Sequence, residues 1–204
     1  MTTTLHFVRH GAHDRLDHML CGRMAGVSLG ESGRAQAERL GARFRSEAVA
    51  AVYCSPLERA RETAAPIAAA LNLPVTVEHD LIELDVGDWS GKSFDELRGD
   101  PAWTLWNSQR ALARPPGGET MLEVQSRAVH AVERARAEHP DATALLVTHS
   151  EIVKLAVAYH LGLPVDAYAR FEIDPASVST LVVGDWGAKL LTLNDTSAHK
   201  DPRP

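Results

Sequence analysis

The sequence predicts a single three-layer α/β/α domain with a mostly parallel central sheet, and three observations support this prediction. Short apolar runs of strand length alternate along the chain with segments whose apolar residues recur at helical spacing. The first three runs are each followed by polar residues, as strands are when a ligand binds beyond their carboxyl ends. The length of 204 residues suits one well-buried domain, 1–204, and no internal repeat or linker interrupts it.

Five strand-like runs make up the predicted sheet. Three apolar runs that each precede a helix are candidates for parallel strands, and two β-rich segments near the C-terminus complete the sheet. In chain order the runs are 5–8, 49–54, 144–147, 178–183 and 189–193. Because the carboxyl ends of parallel strands meet at one edge of a sheet, we expect the polar residues after the first three runs to share one rim. Those residues are Arg9-His10, 55–59 and His149.

The helix after the second run has clear start and stop signals. Ser55 suits the N-cap, Pro56 suits the first helical position, and Glu58 would close a capping box. Asn72 and Pro74 predict the end of the helix.

Three further helices are predicted from capping and spacing. Thr120 and Glu123 form a capping box that opens one of them, and Ser150 can cap the helix after the third run. The helix after the first run is predicted from four apolar residues at helical spacing: Ala37, Leu40, Phe44 and Ala48.

The polar segment 85–118 predicts a small helical cap over the pocket. Trp89, Trp103 and Trp106 fall within it, and the spacing of the last two fits core packing at least as well as substrate stacking. The polar segment 196–204 is expected to be a frayed tail.

Composition excludes several classes of partner. The net charge of -6 argues against nucleic acid and against an anionic membrane held by bulk charge. The N-terminal residues lack a signal-peptide pattern, and the two cysteines, Cys21 and Cys54, have no metal-site spacing. We therefore expect a cytoplasmic protein without membrane or nucleic-acid partners; the sequence leaves open whether it forms a homodimer.

Arg9-His10-Gly11 is the most informative short segment. A neutral imidazole can attack phosphorus, and an adjacent guanidinium can hold the phosphoryl oxygens. Arg59 is expected in the first turn of its helix and His149 at the start of another, and backbone N–H groups favour an anion at both places. These residues together predict a site for a phosphorylated substrate.

Five segments, in this order and spacing, resemble the histidine phosphatase superfamily, in the branch that includes the cofactor-dependent phosphoglycerate mutases. The five segments are Arg9-His10-Gly11, 55–64, 81–91, 116–119 and Thr148-His149. The resemblance implies that His10 is the nucleophile and takes the phosphoryl group as phosphohistidine. It also implies that Arg9, Arg59 and His149 surround the phosphate. We expect no cofactor or metal ion, because Arg9, Arg59 and a partly or fully protonated His149 would supply the positive charge around the phosphate.

The same resemblance identifies Glu83 as the proton donor. One carboxyl group can protonate the leaving group and later deprotonate water, and burial would raise its pKa. Composition alone does not choose among the neighbouring acids, of which Asp85 is the next candidate. The others are Glu78, Asp80 and Asp88.

The chain departs from the family pattern at two places. Ala12-His13 replaces the usual Glu-Thr or Glu-Ser, and the asparagine often found a few residues later has no clear counterpart. Ser150 follows His149 where glycine is common. These departures affect secondary phosphate contacts and substrate preference.

The predicted function is hydrolysis of a phosphomonoester on a small phosphorylated metabolite, and three alternatives stand beside it. A phosphoglycerate mutase is one, although family mutases usually carry a longer insertion than the 32 residues between Glu83 and Pro116. A phospholigand-binding module without turnover is the second. A metal hydrolase built on His10, His13, Asp14 and His18 is the third.

Overall fold

The computed structural model describes residues 1–199 and forms a six-stranded mixed sheet. Its strands are β1 (Thr2–Arg9), β2 (Ala51–Cys54), β3 (Val75–Val77), β4 (Thr143–Thr148), β5 (Val178–Gly184) and β6 (Gly187–Asp195). Their order across the sheet is β3-β2-β4-β1-β5-β6. The first four strands pair in parallel and β5 and β6 pair antiparallel at one edge, so the predicted mostly parallel sheet is confirmed.

Helices fill the connections between the parallel strands. The α-helices of the described chain are α1 (Glu31–Phe44), α2 (Glu58–Leu71), α3 (Phe94–Arg98), α4 (Pro101–Ser108), α5 (Met121–Glu138) and α6 (Ser150–His160). Short 3-10 turns occupy His79–Leu81, Gly87–Trp89, Val165–Arg170 and Ser197–His199. None of the helices in residues 1–199 is long and apolar enough to cross a membrane.

Both faces of the sheet are buried under helices, as the three-layer prediction requires. Along β4, Ala144 and Leu146 belong to the core that contains α5 and α6, while Leu145 and Val147 belong to the core that contains α1 and α2. Alternate residues of a strand point to opposite faces, so a continuous apolar run fills both cores. The carboxyl ends of β1, β2 and β4 are left as the accessible edge.

Two of the predicted helix boundaries are confirmed. Thr120 and Glu123 form the expected capping box at the start of α5, with each side chain accepting a hydrogen bond from the other residue's backbone N–H. Asn72 ends α2 in a left-handed conformation with φ of 54°.

Three local predictions are wrong at residue level. The N-cap of α2 is Leu57, without a capping box, so Ser55 and Pro56 lie before the helix. Ser150 is the first residue of α6 and His149 is its N-cap. Ala48 lies beyond α1, which ends at Phe44. Ser55 fails as a cap because the chain stays extended beyond β2, where Ser55 N still donates to the carbonyl oxygen of the β4 residue Val147. Ser150 fails because α6 begins one residue earlier than the local pattern suggests.

The segment predicted as a cap contains the two short helices α3 and α4. Its tryptophans pack on one another, with Trp89 meeting Trp103 and Trp106 edge-on at ring centroid distances of 5.3 and 5.6 Å. Trp89 and Trp106 are buried in the core, which agrees with packing rather than substrate stacking. The predicted tail begins with the Ser197–His199 turn, and 200–204 lie outside the described residues.

Candidate active site

The strand register brings His10 and His149 together. Arg9 of β1 lies opposite Thr148 of β4, and His10 N donates to the Thr148 carbonyl oxygen at 2.9 Å. The residues that follow the two strands are therefore neighbours, and the His10 and His149 rings have centroids 5.1 Å apart. The predicted shared rim is present: Arg9, His10, Arg59 and Glu83 line one pocket, and His149 contacts it through His10.

His10 presents Nε2 to the pocket. Its Nδ1 lies 2.8 Å from the Gly11 carbonyl oxygen, which can only accept, so Nδ1 carries the proton and Nε2 keeps its lone pair. Burial, followed by the charges of Arg59 and Arg9, lowers the pKa of His10 well below its usual range. The ring is therefore neutral near pH 7, the form that a nucleophile needs.

The loop that carries His10 is held closely against the helices. Gly11 N donates to the Thr63 hydroxyl of α2 at 3.0 Å. A Cβ atom on Gly11 would lie only 2.7 Å from the carbonyl oxygen of Gly33 in α1, so a larger residue would force the loop away. This packing fixes the direction of the His10 ring.

Arg59 lies in the first turn of α2 and is almost completely buried. Its Nε donates to His10 Nε2 at 3.3 Å, and its Nη2 donates to the Gly22 carbonyl oxygen at 2.8 Å. Nη1 is buried without a hydrogen-bond partner in the described part of the chain. Arg61, two residues further along the helix, is exposed. One guanidinium thus touches Nε2 of His10 and keeps a donor for another group.

Arg9 provides a second positive charge. Its Nη1 donates to the Ile173 carbonyl oxygen at 2.5 Å, while its buried Nε has no partner among residues 1–199. Arg9 and Arg59 approach His10 from different elements, β1 and α2. Two fixed guanidinium groups beside one imidazole form a suitable cradle for a phosphoryl group.

His149 is held by Ser55. The Ser55 hydroxyl lies 2.7 Å from His149 Nε2 and also accepts from Leu57 N at 3.3 Å. The hydroxyl can therefore donate to Nε2, which leaves the His149 proton on Nδ1, 3.9 Å from Glu83 Oε2. Burial and the charge of Arg59 lower the pKa of His149 well below its usual range. Our expectation of a positively charged His149 is wrong for the chain without a ligand, because it is fully buried beside arginines.

Glu83 is the carboxyl group of the pocket, with its side chain 14% exposed. Burial and the negative charge of Glu151 raise its pKa to about 7, although Arg59 and Arg127 act in the opposite direction. The raised pKa keeps both the protonated and the ionised form of Glu83 accessible near pH 7, so the group can donate or accept a proton.

The backbone around Glu83 is clamped by residues that the sequence alone did not identify as functional. Arg127 Nη2 and Arg23 Nε both donate to the Glu83 carbonyl oxygen, at 3.1 and 2.8 Å. Glu119 joins these two arginines, with ion pairs of 3.0 Å to Arg127 and 2.7 Å to Arg23. Glu119 lies in the segment 116–119 that carried the family resemblance; no local signal distinguishes Arg23 or Arg127.

The alternative acidic residues lie outside the pocket, and three of them make hydrogen bonds or ion pairs there. Asp85 accepts from Gly87 N at 2.9 Å and lies 3.6 Å from Arg23. Glu78 and Asp80 both pair with Arg134. None of the three lines the pocket around His10, and neither does the exposed Asp88.

The pocket has a volume of about 430 Å³ and a polar outer wall. Phe94, the first residue of α3, borders it on the side of the predicted cap. The Val165–Arg170 turn contributes Tyr168 to the lining, and α6 contributes Glu151 and Lys154. No sequence motif indicated that Tyr168 lines the pocket, since it follows the last recognised motif.

A family profile identifies the superfamily of the chain. The profile of the histidine phosphatase superfamily (branch 1) matches residues 5–196. The chain belongs to the histidine phosphatase superfamily. The family resemblance stated from the motifs is therefore confirmed.

The chain is similar in sequence to two phosphatases and in fold to a solved structure. The chain is 31% identical over 180 residues to phosphoserine phosphatase 1 of Hydrogenobacter thermophilus, covering 86% of this chain and 85% of that protein. It is 28% identical over 193 residues to the adenosylcobalamin/α-ribazole phosphatase of Escherichia coli, covering 93% and 95%. The structure of Bacillus stearothermophilus YhfR superposes with a TM-score of 0.91 at 32% identity, covering 97% of this chain and 100% of that one.

The side chains of the histidine-rich segment 10–18 do not come together as a set of metal ligands. His13 lies in the pocket beside His10, whereas Asp14 and His18 are exposed. Within residues 1–199 no group of three or more His, Cys, Asp or Glu side chains is placed to hold a metal ion.

Proposed function

We propose that this chain is a phosphomonoester hydrolase that works through a phosphohistidine on Nε2 of His10. The observation that carries the proposal is the hydrogen bond from His10 Nδ1 to Gly11, because it fixes the tautomer whose lone pair is on Nε2. Arg59 touches that same nitrogen, and Arg9 lines the same pocket. Phosphoryl transfer depends mainly on positioning and charge neutralisation, which these two arginines can supply.

The first step forms the N–P bond and breaks the ester P–O bond. His10 Nε2 attacks phosphorus, and Glu83 gives its proton to the departing oxygen, so that the alcohol leaves neutral. In the second step water attacks the phosphohistidine, Glu83 takes the proton from that water, and orthophosphate is released. A pKa of about 7 lets Glu83 serve both steps near neutral pH.

The substrate that fits best is a small phosphorylated metabolite. A cavity of about 430 Å³ accommodates a compact ester. Phosphoserine and α-ribazole phosphate, named for the two relatives, belong in the first assay panel with sugar phosphates and phosphoglycerates. Release of orthophosphate from a panel member supports hydrolysis; transfer of the phosphoryl group to a second hydroxyl would indicate a mutase instead.

The catalytic roles are tested with two esters and two variants. His10→Ala should abolish turnover and any covalent phosphoenzyme. Glu83→Gln should retain much of the first step with an activated aryl phosphate, whose leaving group hardly needs a proton, but should be nearly inactive with an alkyl phosphate. Rapid-quench labelling worked up in base measures both steps, because phosphohistidine is acid-labile. An equal loss for both esters in Glu83→Gln would remove Glu83 from the role of acid.

Metal independence is part of the proposal. Activity on an aryl phosphate should persist after exhaustive chelation and should be inhibited by vanadate, since the positive charge comes from Arg9 and Arg59. Activity restored only by added zinc or manganese would contradict it. A phosphate-binding chain without turnover of any ester would be a binding module. The cytoplasmic location stays a prediction, and the sequence leaves open whether the chain forms a homodimer.

A further inference from the structure

His13 lies beside the nucleophile in the same pocket. The His10 and His13 rings are close to parallel, with centroids 5.4 Å apart and an angle of 25° between their planes. Only 8% of His13 is exposed, although it lines the pocket. The fold therefore holds an imidazole next to the place where the proposed function puts a phosphoryl group.

No hydrogen bond within the described residues holds the His13 ring. Its Nδ1 is buried without a hydrogen-bond partner in the described chain. His149 Nδ1 and His160 Nε2 are also without a partner, but each of those rings is held by its other nitrogen, through Ser55 and the Ala156 carbonyl oxygen. The His13 ring makes neither kind of contact in the described chain. A neutral imidazole carries one N–H and one lone pair, and burying such groups without partners is unfavourable. A ligand in the pocket would provide the missing partner.

The charges around His13 point to an anionic ligand. Burial lowers its pKa to about 4, and the charges of Arg59, Arg9 and Arg15 act in the same direction against the opposing Asp14. His10, which faces it, is itself held neutral. A phosphate dianion offsets the positive charge of the arginines, so its binding favours protonation of the His13 ring. In the protonated ring both nitrogens are hydrogen-bond donors.

We propose that His13 is a phosphate-binding residue, whose ring N–H donates to an oxygen of the phosphoryl group held beside His10. It would add a donor to those of Arg9 and Arg59. The proposal rests on the proposed function in one respect, namely that a phosphoryl group occupies this pocket.

The test compares His13→Phe with His13→Gln. Phenylalanine keeps a flat ring that can stack on His10 but removes the donor, whereas glutamine keeps an N–H donor and removes the ring. His18→Phe is the matched control, because His18 is exposed and lies outside the pocket lining. Binding of orthophosphate to the whole chain is measured by titration calorimetry at pH 7, beside turnover of an aryl phosphate.

We expect His13→Phe to weaken orthophosphate binding by about 10-fold or more, as loss of a hydrogen bond to a charged group does. His13→Gln should stay within about 3-fold of the wild type, and His18→Phe should match it. Wild-type binding by His13→Phe, or weaker binding by His13→Gln than by His13→Phe, would show that the ring serves packing and would overturn the proposal. Failure of the wild type to bind orthophosphate would overturn it as well.

A measurement on the unaltered chain does not depend on how the variants fold. Saturating orthophosphate should raise the pKa of the His13 ring, followed by NMR of the histidine ring signals across pH. An unchanged His13 titration would contradict the proposal. The two proposals can fail separately. A wild type that binds phosphate through His13 but hydrolyses no ester contradicts only the proposed hydrolysis. An active enzyme whose phosphate binding and turnover are unchanged by His13→Phe contradicts only the proposed role of His13.

Discussion

Glu83→Gln should make the protein more stable at alkaline pH while it removes the catalytic proton. The fold holds the Glu83 carboxyl group where its ionised form is disfavoured, mainly through burial and then through the charge of Glu151. Glutamine has nearly the same shape, and its side-chain oxygen can still accept from Leu84 N, as Glu83 Oε1 does at 2.8 Å. The substitution therefore removes a charge cost and leaves the local contacts in place.

The magnitude follows from the pKa values in the two states. The Glu83 pKa rises from 4.5 to about 7 on folding, and this difference corresponds to about 3 kcal/mol. Between these pH values the folded chain binds more protons at Glu83 than the unfolded chain, so wild-type stability falls as pH rises through the window. Glu83→Gln lacks this fall. Its stability relative to the wild type should grow by about 3 kcal/mol between pH 4 and pH 8.

Urea unfolding at pH 4, 5, 6, 7 and 8 measures this difference. Asp88→Asn, which changes an exposed carboxyl group in the same region, is the control and should follow the wild type. Glu151→Gln should shift the steep part of the wild-type curve to lower pH, because the negative charge of Glu151 helps to raise the Glu83 pKa. Parallel stability curves for the wild type and Glu83→Gln from pH 4 to pH 8 would refute the assigned environment of Glu83.

Two further predictions concern groups on either side of His10. Arg59→Ala should reduce kcat/KM by at least about 10²-fold, because it removes a buried donor that touches the nucleophile, whereas the exposed Arg61→Ala should change it only a few-fold. Steady-state kinetics with an aryl phosphate measures kcat/KM for both variants. Equal small effects would mean that α2 does not direct Arg59 towards His10. Ser55→Ala should lower kcat more than it raises KM, since it frees the His149 ring, and should cost about 1 kcal/mol of stability in urea unfolding. Unchanged kcat in Ser55→Ala would contradict the positioning role of Ser55.

Local patterns in the sequence determined the scaffold and the main site residues. An apolar run that stops at Arg9-His10 predicts both a strand and what lies at its carboxyl end, because the run of apolar residues and the chain direction are local properties. The Thr120 capping box and the Asn72 helix end follow from contacts within a few residues of each other. Glu83 was identified by its resemblance to a family motif, since composition alone left Asp85 open.

The tertiary structure decided how each of these residues is used. Ser55 looked like a helix cap, but its hydroxyl binds His149, 94 residues away, and this long-range contact prevails over the local one. The clamp of Arg127 on the Glu83 carbonyl oxygen likewise depends on which elements meet. The pKa values of His10 and Glu83 depend on burial and on charges brought together from distant segments, and spacing along the chain does not record either quantity.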